Sequence, residues 1–141
     1  MESIITKDIV ESLLPQKAPF VMADALFSFE ENALTAGLTI PANNIFVEDG
    51  HFAEAGMIEH MAQSVALYTG YQYYLKKEPA PTGYIGSIKD VEIIQMPNVG
   101  DSIVTEVSVL QEFMGITLVN IVTKKGNKEI ARSQMKTVLA K

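Results

Sequence analysis

The chain has 141 residues, the usual size of one domain, and 48% of them are hydrophobic, which is enough to build a core. The absence of cysteine excludes disulfides, a thiolate nucleophile and cysteine-ligated zinc or iron–sulfur sites. The net charge of −6, from 11 basic and 17 acidic residues, argues against nucleic acid as a partner. We therefore expect a single domain over residues 1–141.

The N-terminal stretch MESIITKDIVESLL lacks the basic region and continuous apolar run of a signal peptide. No apolar run approaches the roughly 20 residues that a membrane-spanning helix needs. The expected location is the cytoplasm, without membrane contact.

The first third of the chain predicts a short helix followed by two strands. Thr6 is a candidate N-cap and Pro15 ends the helical pattern of TKDIVESLLP. The segments PFVMADALFSFEEN (19–32) and ALTAGLTI (33–40) are typical of strands around a turn at Glu31–Asn32.

The strongest helical pattern runs from about Glu54 to Lys77 and stops before Pro79. On a helical wheel one broad apolar arc contains Met57, Ile58, Met61, Ala62, Val65, Tyr68, Thr69 and Tyr73. This arc must be covered by another element.

The remainder of the chain predicts strands only. Four segments, TGYIGSIKDVEIIQ, DSIVTEVSVLQEF, ITLVNIVTKKG and KEIARSQMKTVLA, are separated by turn residues. Consecutive hairpins favour an antiparallel sheet, and the most economical cover for the long helix is that sheet. The predicted fold class is therefore α+β, with an antiparallel sheet wrapped around one long central helix.

The segment DGHFAEAGMIEHMAQ (49–63) holds both histidines of the chain, His51 and His60. Glu59 lies at the border of the apolar arc, beside the small residues Ala66 and Gly70, which leave room for a ligand or a partner backbone. The simpler interpretation is that Glu59 is an ordinary acid near a helix N-terminus.

His60 lies opposite the arc and is expected to be exposed and without a role. A metal site from His51, Glu59 and His60 is disfavoured because His60 points about 100° away from Glu59 and no further ligand is apparent.

Six basic residues and one acid, Glu129, follow residue 123. The simpler interpretation is the solvated faces of two strands; the functional one is a docking patch for an anionic partner. The basic residues are Lys124, Lys125, Lys128, Arg132, Lys136 and Lys141.

Four parts of the sequence, in order, resemble the hot-dog-fold 3-hydroxyacyl-[acyl carrier protein] dehydratases. They correspond to that family's Leu-Pro-His-Arg-x-Pro-Phe-x-x-x-Asp opening, its Gly-His-Phe-Pro loop, its Glu-x-Met-Ala-Gln helix motif, and the strand and Pro-Gly-Asp turn that follow. In this chain they are LPQKAPFVMAD (14–24), GHF (50–52), EHMAQ (59–63), and GSIK (86–89) with PNVGD (97–101).

The resemblance implies a homodimer whose two sheets join edge to edge, with a site shared by two subunits. It implies that His51 takes a proton from C2 of a thioester substrate and that Glu59 of the other subunit handles the departing 3-hydroxyl. Backbone amides around Gly56 would polarise the thioester carbonyl. The predicted substrate-binding residues are Gly56, Met57, Gln63 and Phe52.

The resemblance also implies acyl carrier protein with a phosphopantetheine-linked substrate as the partner, and it implies no cofactor or metal. Beta-elimination from a thioester needs a base, an acid for the leaving group and a donor where enolate charge develops. Histidine, a carboxylate and helix-end amides supply these three groups.

Two features depart from the family pattern. The segment between His51 and Glu59 is about six residues shorter than usual, and the Leu-Pro-His-Arg opening has become Leu-Pro-Gln-Lys. The shortened pattern resembles a divergent branch found near bacterial genes for aryl polyene or flexirubin-type pigments. Two alternatives stay open: a non-catalytic, carrier-binding partner of an active homologous dehydratase, forming a heterodimer, and a hot-dog acyl thioesterase.

Overall fold

The computed structural model describes residues 1–140 as two helices and eight strands. The helices are α1 (Lys7–Leu13) and α2 (Glu54–Lys76). The strands are β1 (Ala25–Glu30), β2 (Ala33–Thr39), β3 (Val47–Glu48), β4 (His51–Phe52), β5 (Gly83–Ile93), β6 (Ser102–Phe113), β7 (Ile116–Lys125) and β8 (Lys128–Leu139).

Six strands form one sheet in the order β1-β2-β6-β7-β8-β5, and every neighbouring pair is antiparallel. The β6–β7 hairpin turns at Met114 and Gly115, which both have positive φ, the conformation that favours glycine. The strand that follows α2, β5, returns to the far edge beside β8. The predicted antiparallel α+β architecture is confirmed.

The long helix α2 lies against this sheet and begins and ends almost where the sequence predicts. It contacts β2, β5, β6 and β7, and α1 packs on it where Gly70 faces Leu13. A Cβ at position 70 would lie 2.8 Å from the carbonyl oxygen of Leu13, so only glycine permits this helix contact. Within residues 1–140, no helix is long and apolar enough to cross a membrane.

Burial on α2 extends beyond the predicted apolar arc. Its buried residues are Gly56, Met57, His60, Met61, Gln63, Ser64, Val65, Leu67, Tyr68 and Gly70. Several of them, including His60, Gln63 and Leu67, lie outside the arc. The sheet and the segment before β1 therefore enclose α2 over most of its circumference.

The expectation that His60 is exposed is wrong, because its side chain has no accessible surface. Its Nδ1 lies 2.6 Å from the Met22 carbonyl oxygen and its Nε2 lies 2.8 Å from Thr105 Oγ1. Since a carbonyl oxygen can only accept, Nδ1 carries the proton and Nε2 accepts from the Thr105 hydroxyl. Thr105 Oγ1 in turn lies 2.6 Å from Thr123 Oγ1, so the hydrogen bonds continue from α2 into β6 and β7. Burial lowers the pKa of His60 to about 4, against an opposing contribution from the Met22 carbonyl, so the ring is neutral near pH 7.

The first predicted strand is also shorter than expected, because β1 begins only at Ala25. The backbone groups of Phe20 and Met22 pair with side chains of α2 instead of a neighbouring strand. Periodicity alone does not distinguish a strand from an extended segment that side chains hold in place.

The buried neutral His60 predicts a loss of stability in acid. The unfolded chain takes up a proton near pH 6.5, whereas the folded protein does so only near pH 4. The free energy of unfolding should therefore fall as the pH drops through this window, by about 3 kcal/mol attributable to His60. Urea unfolding of wild type and His60→Gln at pH 7.5 and pH 4.5, at one protein concentration, measures the difference.

Asp24 makes an opposing contribution to the pH dependence. Burial raises the pKa of its carboxyl, so Asp24 favours the folded state as the pH falls. Comparing wild type with His60→Gln removes this contribution. Asp24 is present in both proteins, so its effect cancels. His51→Gln, which changes the exposed histidine, is the matched control and should behave like wild type. An equal acid sensitivity of wild type and His60→Gln would contradict the assignment.

Candidate functional site

The loop that carries His51 is a short hairpin fixed to the turn after β5. Asp49 and Gly50 have positive φ and connect β3 to β4, so that Glu48 pairs with His51. The Phe52 amide donates to the Pro97 carbonyl at 2.8 Å, and the Val99 amide donates to the Gly50 carbonyl at 3.0 Å. The segments GHF (50–52) and PNVGD (97–101) therefore hold one another in place, and the His51 side chain is left exposed.

Close packing determines how the helix begins after this loop. A Cβ at Gly56 would lie 2.5 Å from Phe52 Cε1 and 2.7 Å from Phe46 Cβ. Phe52 and Met57 have no accessible surface and belong to the hydrophobic core. The structure therefore places Gly56, Phe52 and Met57 beneath the loop, where they support it, and their part in substrate binding stays a prediction.

The first turn of α2 offers backbone donors. Ala53 is the N-cap without a side-chain cap, and its carbonyl accepts from the Met57 amide at 3.1 Å. Within residues 1–140, no hydrogen bond to a protein acceptor engages the amides of Glu54, Ala55 and Gly56. Unpaired amides at the positive end of a helix dipole suit an oxygen that gains negative charge.

Glu59 is held at one oxygen by a buried glutamine one turn further along α2. Gln63 Nε2 donates to Glu59 Oε2 at 2.9 Å and to the Phe20 carbonyl at 2.8 Å. Gln63 Oε1 accepts from the Met22 amide at 2.6 Å. These partners fix the orientation of the Gln63 amide and occupy its polar groups. Gln63, which was predicted to bind substrate, is thus positioned to orient Glu59.

The carboxylate of Glu59 is itself only half-buried. Among the described residues, no protein donor reaches Glu59 Oε1, so that oxygen is available to a ligand. No hydrogen bond or ion pair joins His51 to Glu59 within the described part of the protomer. The two residues lie on separate elements, β4 and α2.

A cavity of about 310 Å³ begins one turn after Glu59. Its walls are the end of α1, one face of α2, the loop before β5 with the start of that strand, and the end of β8. The α2 wall consists of Ala62, Val65, Ala66, Thr69 and Gly70. The small residues that sequence analysis noted beside Glu59 therefore do leave open space.

The histidine pair does not form a metal site with Glu59. Both ring nitrogens of His60 are engaged in buried hydrogen bonds, so His60 offers no ligand atom. Residues 1–140 contain no group of three or more side chains arranged to hold a metal ion.

Three of the five basic residues described near the C-terminus form ion pairs with carboxylates. Lys124 pairs with Glu106 at 3.3 Å and Lys125 with Asp101 at 2.9 Å. The Lys125 ammonium and the Asn98 amide hold the pKa of Asp101 below its ordinary value. Lys128 donates to Gln95 Oε1.

Arg132 is paired too, with Glu92 at 3.2 Å and Glu129 at 3.0 Å. Lys141 lies outside the described residues. The structure therefore favours solvated strand faces over a cationic docking patch at this end of the chain.

Comparison with known proteins places the chain in a family. A family model described as ApeP-like, ApeP dehydratase, matches residues 9–140. The chain belongs to the ApeP-like dehydratase family. Two similar curated proteins are named 3-hydroxyacyl-[acyl-carrier-protein] dehydratase FabZ. That of Vibrio cholerae is 29% identical over 133 residues (90% of this chain, 86% of that protein), and that of Vibrio atlanticus is 30% identical over 138 residues (90% and 88%).

Solved structures show the same fold. A chain of the dehydratase heterocomplex ApeI:P from Xenorhabdus doucetiae matches with a TM-score of 0.86 at 18% identity, covering 94% of this chain and 91% of that one. The virulence protein Cj0977 from Campylobacter jejuni matches with a TM-score of 0.70 at 12% identity, covering 95% and 88%. The predicted hot-dog fold, with one long helix wrapped by an antiparallel sheet, is confirmed.

The hydrogen bonds of the buried Gln63 amide should contribute measurably to the free energy of unfolding. Gln63→Leu would leave the Met22 amide and the Phe20 carbonyl without their partner, and each buried unpaired group costs about 1–3 kcal/mol. We expect the free energy of unfolding, measured in urea at fixed protein concentration, to fall by about 2–4 kcal/mol. Gln72→Leu, on the same helix, is the matched control and should change it by less than about 0.5 kcal/mol. Equal effects of the two substitutions would show that Gln63 does not hold the segment before β1.

Proposed function

We propose that this protein dehydrates 3-hydroxyacyl thioesters, carried on the phosphopantetheine arm of acyl carrier protein, to trans-2-enoyl thioesters. The observation that carries the proposal is Glu59, anchored by Gln63 at one oxygen, free at the other, and one helical turn from an open cavity. Membership of the ApeP-like family and the names of the FabZ relatives support this reaction type. The pathway is fatty-acid or polyene-type biosynthesis in the cytoplasm, and the reaction requires no cofactor.

The proposed reaction uses three groups of the chain. Neutral His51 removes a proton from C2, and the resulting negative charge on the thioester oxygen is stabilised by an amide of the first turn of α2. The C3–O bond then breaks, and Glu59 in its acid form protonates the departing hydroxyl, which leaves as water. The proton on His51 returns to Glu59 through solvent before the next turnover, so both groups regain their starting states.

The two groups are proposed to meet across a dimer. Residues 83–92 of β5 are all exposed, and this strand forms an edge of the sheet. Ile88 is 41% exposed although it lies directly opposite fully buried Met135, so the core-facing side of the edge is uncovered. A long, exposed, apolar edge strand is a template for pairing with another chain. We propose that β5 pairs with β5 of a second copy, which brings His51 of one protomer to Glu59 of its partner.

A heterodimer with a homologous dehydratase is the second candidate assembly. It is favoured by the similarity in fold to a chain of ApeI:P, which its name describes as a dehydratase heterocomplex. In that assembly this chain would supply His51 to one shared site and Glu59 to the other. A purified chain that is inactive alone and active after addition of its homologue would select this assembly over the homodimer.

Substitution of the two proposed catalytic groups tests the assigned reaction. His51→Ala and Glu59→Gln should each lower the rate of enoyl formation from a 3-hydroxyacyl-carrier substrate by about 100-fold or more, because general acid–base catalysis contributes about 10²–10⁴-fold. Ultraviolet absorbance of the enoyl thioester and intact mass of the carrier measure the product. Glu54→Gln, at an exposed acid in the first turn of the same helix, should retain the wild-type rate.

Three results would overturn parts of this proposal. Release of free thiol in place of an enoyl product would identify a thioesterase. Unchanged rates in both His51→Ala and Glu59→Gln would exclude their catalytic roles. Activity of a mixed complex that survives Glu59→Gln in this chain would make the chain a non-catalytic partner.

A further inference from the structure

The sheet has a second face, turned away from α2, which we call the outer face. Alternation along β7 identifies it: Val119, Ile121 and Thr123 are buried on the core side, and the residues between them are more exposed. Directly opposite residues of an antiparallel pair share a face. The register of β6, β7, β8 and β5 therefore assigns Ile116 and the residues opposite it to the outer face.

Four apolar side chains stand in one line across the outer face. Phe113 is opposite Ile116, and Ile116 is opposite Val138. Val138 is opposite Tyr84, so the line crosses four strands. All four side chains are exposed, Phe113 by 68% and Tyr84 by 60%. Met114, beside Phe113 in the turn between β6 and β7, is 81% exposed. These five residues form what we call the apolar row.

The outer face further along the strands is polar. Four residues after Ile116 on β7, the corresponding line consists of Ser108, Asn120, Gln134 and Lys89. Arg132, with its two carboxylate partners, lies beyond it. A polar outer face is what an antiparallel sheet turned to water normally shows. The apolar row departs from this pattern at one end of the sheet only.

The apolar row is rigid and large enough to bind another surface. The Leu139 amide donates to the Gly115 carbonyl at 3.0 Å, and the Ala140 amide donates to the Thr82 carbonyl at 2.8 Å. These bonds tie the hairpin turn and the start of β5 to the end of β8. The five side chains expose roughly 500 Å², near the upper end of the largest apolar patch on a typical monomer. Two copies placed face to face would bury roughly 1,000 Å² from these side chains, about the minimum for a specific interface.

The charges near the apolar row favour a second copy over an acidic partner. None of its five residues is charged, and the adjacent line, with Gln111, Leu118 and Ser87, contributes one cation, Lys136. An acidic carrier protein would need several cations at its docking surface. An uncharged row is complementary to itself, because a two-fold axis places the same surface on both sides of the contact.

We propose that the apolar row is a contact surface between two copies of this chain, packed sheet on sheet about a two-fold axis. The contact lies on the opposite side of the sheet from α2, which carries Glu59, so it leaves the proposed active site open. It is independent of the proposed reaction and adds to the proposed pairing of β5. Dimers formed through β5 would therefore associate into tetramers, and the small area makes this association depend on concentration.

Sedimentation velocity of the purified chain over a wide range of concentration tests the contact. Wild type should show dimers that convert to tetramers as the concentration rises. Ile116→Glu puts a charge at the centre of the apolar row and should raise the dissociation constant of the tetramer by at least about tenfold. Phe113→Ser, which removes a large exposed side chain without adding a charge, should act in the same direction. Asn120→Glu, on the same strand and the same face, is the matched control and should behave like wild type.

Thermal unfolding of each variant verifies the fold, since all three substitutions are on the outer face. Dimers at every concentration, or tetramers that survive both Ile116→Glu and Phe113→Ser, would overturn the proposal. A wild-type monomer–dimer equilibrium that Ile116→Glu abolishes would support the apolar row and contradict the pairing of β5. One that Ile116→Glu leaves unchanged would overturn the apolar row as an interface, and monomers at every concentration would overturn both contacts.

Discussion

The structure depends on the enclosure of α2. The buried residues of this helix lie on most of its circumference, so that one flat layer could not cover them. The sheet curves around it, α1 closes against Gly70, and the extended segment before β1 covers a further side. Burial of a helix on so many sides requires that its polar residues have partners inside the protein. His60, Gln63 and Ser64 all have them: His60 contacts Met22 and Thr105, Gln63 binds Phe20 and Met22, and Ser64 donates to the His60 carbonyl.

This enclosure also builds the site. Gln63 is buried because it holds the segment before β1, and the same amide presents one oxygen of Glu59 in a fixed orientation. The contact between Gly56 and Phe52 sets how closely the His51 loop approaches the helix start. Core packing and the placement of Glu59 and the His51 loop are therefore not separable in this fold. The shortened segment between His51 and Glu59 still forms a hairpin, because Gly50 and Phe52 are fastened to residues 97–99.

Much of the fold could be predicted from the sequence, because long periodic segments and turn residues are local signals. The bounds of α2, the strands β6, β7 and β8 and the turn at Gly115 follow directly from such patterns.

The burial of His60 could not be predicted in this way, because a single apolar arc assumes one buried face. His60 lies on another face of the helix, which the Phe20–Met22 segment and β6 cover. The ion pairs of Lys124 and Lys125 depend on which strands become neighbours, and a single sequence does not contain that information. Glu59 and His51 were predicted as catalytic residues from their motifs, and their roles stay a proposal. The anchoring role of Gln63 and the apolar row on the outer face required coordinates.

The central claim is that each site combines His51 of one protomer with Glu59 of its partner. Mixing His51→Ala with Glu59→Gln protein by joint unfolding and refolding tests it most directly, with differently tagged chains to verify hybrid formation. Random pairing makes about half of the dimers hybrids, each with one intact site of two, so activity should return to about a quarter of wild type. Activity that stays at the level of the single variants, while hybrids are present, would contradict a shared site.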